Sequence, residues 1–268
     1  MHTYHLEELR QQTIILVQKV AGFLATEKGK VRQDEIEEKS RNSLVSYVDK
    51  TAEKMLVEGL QSILPEAVFI TEEETIEQAN GDWRWIIDPL DGTTNFLHQL
   101  PCFSISVALQ YKENTVVGVV HEVNQNETFS AHKNGGAWLN EAPIFTTKTD
   151  AMANALVATG FPYYDYDHID AYLDVFRYLM KETRGIRRFG SAAVDLVYVA
   201  CGRFDAYFEY SLNAWDVAAG ALIVQEAGGI VVDFSGGDNY LFGREIIAVN
   251  APLSEAFAAL INKSFKNQ

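Results

Sequence analysis

The chain has 268 residues, 47% of them hydrophobic, and a formal net charge of −15 at pH 7. That size and apolar content allow one large buried core or two modest ones, and the negative charge disfavours nucleic acid as the main ligand. No stretch approaches the roughly 20 apolar residues of a membrane span. The two cysteines have no metal-type spacing, which fits free thiols in a reducing compartment. We therefore expect a soluble, cytoplasmic protein that binds neither nucleic acid nor a membrane.

The first half of the chain predicts two helices followed by an antiparallel-looking sheet. Apolar positions at helical spacing predict a helix over 5–28, and the pattern of 46–64, which Pro65 ends, predicts a second. The charged run between them, 28–42, predicts a solvated loop. Short apolar runs then predict strands at 68–71, 84–88, 103–111, 115–122 and 127–132.

The second half alternates strand and helix instead. Strand-like runs lie at 155–159, 186–189, 204–209 and 246–250. Each is followed by a helical pattern, at 168–183, 191–202, 214–229 and 252–263. Because such alternation is typical of α/β layers, the sequence predicts a mixed α+β and α/β fold of two intimately packed subdomains. We place the N-terminal subdomain at 1–145 and the C-terminal subdomain at 146–268.

The stretch WIIDPLDGTTNF, residues 85–96, ends an apolar strand with two aspartates, Asp88 and Asp91. A turn built on Pro89 and an Asp-Gly pair occurs in many proteins, so an ordinary turn is the simpler interpretation. Against it, like charges about 4 Å apart cost on the order of 4 kcal/mol at an effective dielectric of about 20. A hard divalent cation would remove that cost, and an all-oxygen ligand set favours magnesium over zinc.

The residues that follow add a place for an anion. Gly92 allows a close approach of the backbone, and Thr93 with Thr94 can open a helix whose free N–H groups bind an anion. Cations beside an anion cradle are typical of a phosphoryl-transfer site. The spacing alone therefore allows a phosphoryl-transfer site as one interpretation and leaves the plain turn open as the other.

Four segments resemble, in order, the signature motifs of the inositol monophosphatase family. They are LVSYVDKTAEKML (44–56), FITEEE (69–74), DPLDGTTNF (88–96) and WDVAAGALIVQEAGG (215–229). With RRFGSAAVDL and the helix-first start, the resemblance covers nearly the whole chain. It implies the layered αβαβα sandwich of the sugar phosphatases, a homodimer, and a magnesium-dependent, lithium-sensitive phosphatase.

The resemblance also implies two to three magnesium ions at the site, with ligands from both subdomains. Glu72, Asp88 and the backbone carbonyl of Leu90 would hold the first ion. Asp88, Asp91 and Asp216 would hold the second, and Glu72 would also face a more weakly bound third. As an alternative, Asp216 could simply stabilise the dipole of its helix, an effect of about 0.3–1 kcal/mol.

Family resemblance assigns the attacking water and the phosphate to neighbouring residues. Asp49 would accept a hydrogen bond from the Thr93 hydroxyl, and this pair would orient and activate the water together with Glu72. The backbone N–H groups of Gly92 and Thr93 would grip the phosphate. Two alternatives stay open: Glu73 could match the family glutamate by one register, and Asp49 could be a carboxylate on the helix surface.

For the substrate, the resemblance implies contacts from a set of residues that overlaps the metal site. They involve Gly190, Ser191, Ala192 and Glu209, together with Asp91, Gly92, Thr93 and Asp216. Gly190-Ser191 could equally be an ordinary strand-to-helix turn with a serine cap. Asn213 stands where animal members often carry histidine, and Lys39 would approach the metal site from a loop over 39–46 whose sequence departs from the family pattern.

The implied reaction is hydrolysis of myo-inositol 1-phosphate to inositol and phosphate. Fructose 1,6-bisphosphate is the main alternative substrate, since some prokaryotic relatives accept both, and histidinol phosphate and NADP are further ones. A function of another class also stays open, because some bacterial members act as protein partners in transcription complexes.

Overall fold

The computed structural model describes residues 5–40, 43–77, 81–162 and 165–266. The helices within these ranges are α1 Leu6–Glu27, α2 Tyr47–Ile63, α3 Thr93–Leu97, α4 Ile169–Glu182, α5 Ala192–Ala200, α6 Ala214–Glu226 and α7 Ser254–Phe265. The strands are β1 Glu37–Ser40, β2 Ser43–Val45, β3 Val68–Thr71, β4 Trp83–Asp91, β5 Ser104–Tyr111, β6 Asn114–Glu122, β7 Glu127–His132, β8 Gly136–Leu139, β9 Ala142–Pro143, β10 Leu156–Thr159, β11 Gly185–Arg187, β12 Ala206–Tyr210, β13 Gly229–Val232 and β14 Glu245–Asn250.

Two large sheets organise these strands. The first has the order β3-β4-β5-β6-β7-β8-β9, and every neighbouring pair is antiparallel except β3 and β4, which are parallel. The second has the order β11-β10-β12-β14-β13, in which β10 runs parallel to both of its neighbours and β14 antiparallel to both of its own. The predicted change from an antiparallel sheet to an α/β arrangement is thus confirmed, although the second sheet is mixed.

Helices separate and cover the two sheets. Helices α1 and α2 pack on one face of the seven-stranded sheet, around a core that includes Leu56 and Trp85. Helices α5 and α6 lie between the two sheets, and α4 and α7 cover the outer face of the five-stranded sheet around Phe208 and Phe257. The predicted αβαβα sandwich is confirmed, while the division into subdomains at residue 145 stays a prediction.

The central helices are buried over most of their surface because a sheet lies above and below them. Close contacts fix their positions: a Cβ added to Gly118 of β6 would lie 2.7 Å from the carbonyl oxygen of Ala219 in α6, and one added to Gly220 would lie 2.7 Å from Leu196 of α5. None of the helices in the described ranges has the length and apolar character needed to cross a membrane. This packing fixes where the first turn of α6 meets the end of β4.

Two local predictions were wrong. The run 28–42, predicted as a loop, contains a 3₁₀ turn over Gln33–Glu35 and strand β1, which pairs with β2. The helix predicted to reach residue 229 ends at Glu226, and strand β13 begins at Gly229. Strands this short are too brief for a periodic pattern to form, and their pairing, β1 with β2 and β13 with β14, defines them.

Candidate active site

A cleft of about 160 Å³ opens where the end of β4 meets the first turns of α3, α5 and α6. Its lining includes every predicted site residue except Asp49, which reaches the cleft through Thr93. These residues are Glu72, Asp88, Leu90, Asp91, Gly92, Thr93, Gly190, Ser191, Ala192, Glu209 and Asp216. The structure therefore brings together residues from both halves of the chain.

A β-bulge at the end of β4 turns the aspartates into the cleft. Opposite β5, Asp88 pairs with Ser106 and Asp91 pairs with Ser104, so that one extra residue is inserted around Pro89. The backbone N–H of Leu90 donates to Asp88 Oδ1 at 2.9 Å and closes the turn. The strand irregularity explains why a Pro is tolerated here and why both carboxylates face the same space.

Asp88 is a strongly perturbed carboxyl group of this cluster. Its residue is only 2% exposed, and burial raises its pKa well above the ordinary range. Repulsion from Glu72, Asp91 and Asp216 raises it further, and a side-chain hydrogen bond joins it to Glu72. Two carboxyl groups in such contact need a proton or a cation between them.

Asp91 links the bulge to the second half of the chain. Its Oδ2 accepts hydrogen bonds from Ser191 Oγ at 2.6 Å and from the Ala193 backbone N–H at 2.7 Å. Burial raises the pKa of Asp91 to about 6, although these hydrogen bonds act in the opposite direction. Ser191 also caps α5 through Val194 N at 3.3 Å, so the predicted serine cap and the cleft position hold together.

Asp216 lies in the first turn of α6 and faces the same cluster. Its Oδ2 accepts a hydrogen bond from the Asn213 backbone N–H at 2.7 Å. Burial raises its pKa well above the ordinary range, and the charges of Asp91 and Glu72 add to the effect. Asp216 therefore lies where it can both stabilise the dipole of α6 and face the cleft.

The donor set fits a hard divalent cation through its chemistry. Within the described residues, no three His, Cys, Asp or Glu side chains converge on one point as ready-made ligands. The carboxyl groups of the cluster nevertheless raise one another's pKa. A carboxylate turns about its own side-chain torsions far more easily than its backbone moves. The mutual repulsion of the carboxylates is therefore stronger evidence for a cation site than the lack of three converging side chains is against it. All the donors are oxygens, the kind of ligand that magnesium prefers.

Thr93 connects the cleft to a buried carboxylate behind it. Its Oγ1 lies 3.0 Å from Asp49 Oδ1 and 3.0 Å from the carbonyl oxygen of Leu90, and a hydroxyl can donate to only one of them at a time. Asp49 is 1% exposed, and its Oδ2 accepts from the backbone N–H and the hydroxyl of Ser46, each at 2.8 Å. The alternative that Asp49 is a surface carboxylate is wrong.

The far end of the cleft is formed by Glu209 and the groups around it. Tyr207 donates its hydroxyl to Glu209 Oε2 at 2.5 Å, and burial raises the pKa of Glu209 to about 7. Gly160 leaves room for this carboxylate, because a Cβ there would lie 2.0 Å from Glu209 Cδ and both of its oxygens. The Arg188 guanidinium, 5.4 Å from the Phe161 ring centroid, opposes the rise in pKa.

Sequence reasoning missed several residues of this end of the cleft. Gly160, Phe161 and Arg188 line it, as does Asp195, whose buried Oδ1 has no hydrogen-bond partner in the described part of the chain. Arg188 and Asp195 flank GSAA within a segment that carried the resemblance, and that adjacency was the available signal. The side chain of Lys39 lies outside what the structure describes.

Comparisons with known proteins agree with this geometry. A family model described as the inositol monophosphatase family matches residues 5–268. Two bacterial proteins named Nus factor SuhB are similar to the chain: that of Haemophilus influenzae is 44% identical over 235 residues, 87% of each chain, and that of Pseudomonas aeruginosa is 42% identical over 231 residues, 84% of each.

Solved structures point the same way. The extragenic suppressor protein suhB from Bartonella henselae has a TM-score of 0.89 at 36% identity, covering 94% of this chain and 98% of that one. The IMPase of Thermotoga maritima has a TM-score of 0.86 at 33% identity, covering 95% and 96%. The chain belongs to the inositol monophosphatase family.

Proposed function

We propose that the protein is a magnesium-dependent phosphatase that hydrolyses inositol monophosphate to inositol and phosphate. The observation that carries the proposal is the cluster of Glu72, Asp88, Asp91 and Asp216 in one cleft, with Glu209 at its far end. Membership of the inositol monophosphatase family supports it. The cluster offers anionic oxygens to cations, and the far end offers hydrogen bonds to a polyol.

The family pattern suggests two main cation positions among these donors. Glu72, Asp88 and the Leu90 carbonyl would hold one magnesium ion, and Asp88, Asp91 and Asp216 would hold the second. A third ion, bound more weakly, would face Glu72. When bound, magnesium neutralises charge on the phosphate and lowers the pKa of a coordinated water molecule.

The protein itself supplies the positioning of the water and of the phosphate. When the Thr93 hydroxyl donates to Asp49, its oxygen keeps its lone pairs to accept a hydrogen bond from the water. Glu72 would accept the other proton of that water. The backbone N–H groups of Gly92 and Thr93, at the start of α3, would donate to the phosphate. A phosphate ester resists hydrolysis, and such positioning supplies a large part of the rate enhancement in its enzymatic hydrolysis.

The polyol would lie between α5 and Glu209. With a pKa of about 7, Glu209 can accept or donate a hydrogen bond to a hydroxyl group near neutral pH. Gly190, Ser191 and Ala192 form the neighbouring wall at the start of α5. A substrate rich in hydroxyl groups fits these polar surroundings better than an apolar ester does.

Phosphate release from a panel of substrates tests the proposal. With magnesium present, myo-inositol 1-phosphate should be hydrolysed with the highest kcat/KM, ahead of fructose 1,6-bisphosphate, histidinol phosphate and NADP. A chelator should abolish the activity, and lithium should inhibit it. Full activity in the chelator would contradict the metal chemistry, whereas a clear preference for another ester would replace the substrate and keep the chemistry.

A Gly160→Ala variant tests the polyol end separately. The new Cβ would lie 2.0 Å from the Glu209 carboxyl group and force it aside. We expect KM for inositol phosphate to rise about tenfold, because that factor corresponds to the loss of about one hydrogen bond to a charged group. Hydrolysis of p-nitrophenyl phosphate, which has no such hydroxyl groups, should change little.

The matched control is Gly22→Ala in α1, because the added Cβ would meet no described atom within 4 Å beyond its chain neighbours and the local backbone of its own helix. That variant should behave as the unmodified protein with both substrates. Equal losses for inositol phosphate and p-nitrophenyl phosphate in Gly160→Ala would show that Glu209 does not select the polyol.

A second function is favoured by the relatives named Nus factor SuhB. We propose that the chain can also act as a protein partner in transcription complexes, independently of catalysis. Co-purification of a catalytically silent variant with the transcription machinery of its own cell would support this role. Recovery of nothing specific would dismiss it.

The homodimer stays a prediction, which sedimentation of the purified protein can check.

A further inference from the structure

A buried carboxylate on α2, Glu53, has no part in the chemistry proposed above. It is 0% exposed and lies one helical turn after Asp49. Its Oε2 accepts from the backbone N–H of Glu73 at 2.7 Å, and its Oε1 accepts from the backbone N–H and the hydroxyl of Thr75, each at 2.7 Å. Three short hydrogen bonds to one charged group, away from water, are a strong local constraint.

These bonds fix the segment that carries Glu72. On one side, the backbone N–H of Glu72 donates to the carbonyl oxygen of Ile87 in β4 at 3.3 Å. On the other side, the next residues, Glu73 and Thr75, are held by Glu53. The backbone around Glu72 is therefore pinned between β4, which supplies Asp88, and helix α2.

We propose that Glu53 is a positioning residue that sets the place of the Glu72 carboxylate and thereby the affinity of the cleft for a divalent cation. This inference rests on the proposed function, because it assumes that Glu72 is a metal ligand. It adds a residue that touches neither substrate nor cation.

Helix α2 would then place two groups at once. Asp49 and Glu53 are four residues apart and share one face of the helix. Asp49 holds the Thr93 hydroxyl, and Glu53 holds the Glu72 segment. The distance between the two groups proposed to orient the water is thus set by one rigid element, and a shift of either contact would misplace the water.

Glu53→Gln is the test variant. An amide has only one acceptor oxygen, and its NH₂ group would face an N–H donor, so one side of the three-bond contact would turn from attraction to repulsion. We expect direct binding of magnesium and manganese, measured by calorimetry and by manganese electron spin resonance, to weaken about tenfold, as for other groups that orient metal ligands. The magnesium concentration that half-saturates activity should rise by the same factor.

A second variant and a matched control keep the test sharp. Thr75→Val removes only the hydroxyl donor and should give a smaller shift in the same direction. Asp205→Asn changes an analogous buried carboxylate that accepts from Leu156 N at 2.7 Å and Thr147 Oγ1 at 2.6 Å, in a place that does not line the cleft. It should lower the melting temperature and leave cation affinity unchanged.

The outcomes separate this inference from the function on which it rests. If Glu53→Gln and Thr75→Val lose thermal stability but bind manganese as tightly as the unmodified protein, Glu53 is merely structural and the inference is overturned. If the unmodified protein itself binds no divalent cation in the cleft, the proposed metal site is overturned, and this role with it.

Discussion

Replacement of Asp91 by asparagine should abolish turnover while the fold is kept. Two protein donors to Asp91, the Ser191 hydroxyl and the Ala193 backbone N–H, converge on the single oxygen Oδ2. An asparagine can present its one oxygen to them, which leaves an amide nitrogen towards the cleft that cannot bind a hard cation. Because a cation supplies several kcal/mol of transition-state stabilisation, we expect kcat to fall by about 10³-fold or more.

The same variant should stabilise the metal-free protein at alkaline pH. In the fold, burial raises the pKa of Asp91 from 3.8 to about 6. The folded state therefore favours the protonated form. The contribution of the protonated Asp91 carboxyl group to stability is complete below the unfolded pKa and is lost as the pH rises through about 6. At about pH 8 this loss amounts to about 3 kcal/mol, which a neutral asparagine avoids.

Thermal unfolding in a chelator and kinetics with magnesium check both halves of this prediction. The variant should melt above the unmodified protein at about pH 8, and the difference should shrink at about pH 5. Glu73→Gln changes a carboxylate beside Glu72 that is not among the described residues lining the cleft, so it serves as the control and should keep its turnover. Near-normal turnover in Asp91→Asn would show that the bulge of β4 has been misinterpreted.

Thr93→Ala should reduce kcat by roughly 10²–10⁴-fold, the range expected for one proton-handling element. The hydroxyl that accepts from the water is lost, together with its link to Asp49. Magnesium affinity should change little, because Thr93 is not a proposed ligand. Asp49→Asn should have a similar effect: its oxygen can still accept from Ser46, but its NH₂ would donate to Thr93 and reverse that hydrogen bond.

The double variant decides whether the two residues act as one unit. If they do, losing both should cost little more than losing either, because the second change removes a link already broken. Steady-state kinetics of the two single variants and the double variant, at saturating magnesium, give the coupling. Fully additive losses would show that Asp49 and Thr93 act separately, and the scheme for orienting the water would be wrong.

Local sequence signals predicted that Asp88 and Asp91 share one tight turn, although they ended the strand at Asp88 and β4 continues to Asp91. Apolar strand, proline, two aspartates and glycine lie within ten residues, so their mutual geometry is decided by one bulge. Contacts between distant segments were beyond such reasoning. Gly160 makes room for Glu209, 49 residues further along the chain, and Glu53 holds Thr75, 22 residues away. The local sequence around a glycine or a helical glutamate does not indicate such a partner, because the contact forms only when the sheets and helices pack together.

The register of the glutamate motif shows the same limit. FITEEE offers adjacent carboxylates, and the pattern alone allowed either Glu72 or Glu73 to face the metal ions. In the structure Glu72 lines the cleft and contacts Asp88, whereas the backbone of Glu73 turns to Glu53. Pairing of β3 with β4, which places Thr71 beside Ile87, sets this register.

The central claim is that the carboxylates of this cleft hold divalent cations. Anomalous diffraction from crystals grown with manganese, which replaces magnesium and scatters anomalously, tests it most directly. We expect peaks about 2 Å from the oxygens of Glu72, Asp88, Asp91 and Asp216, and weakened peaks in Asp91→Asn crystals. Peaks elsewhere on the molecule, or none in the cleft at saturating manganese, would contradict the account.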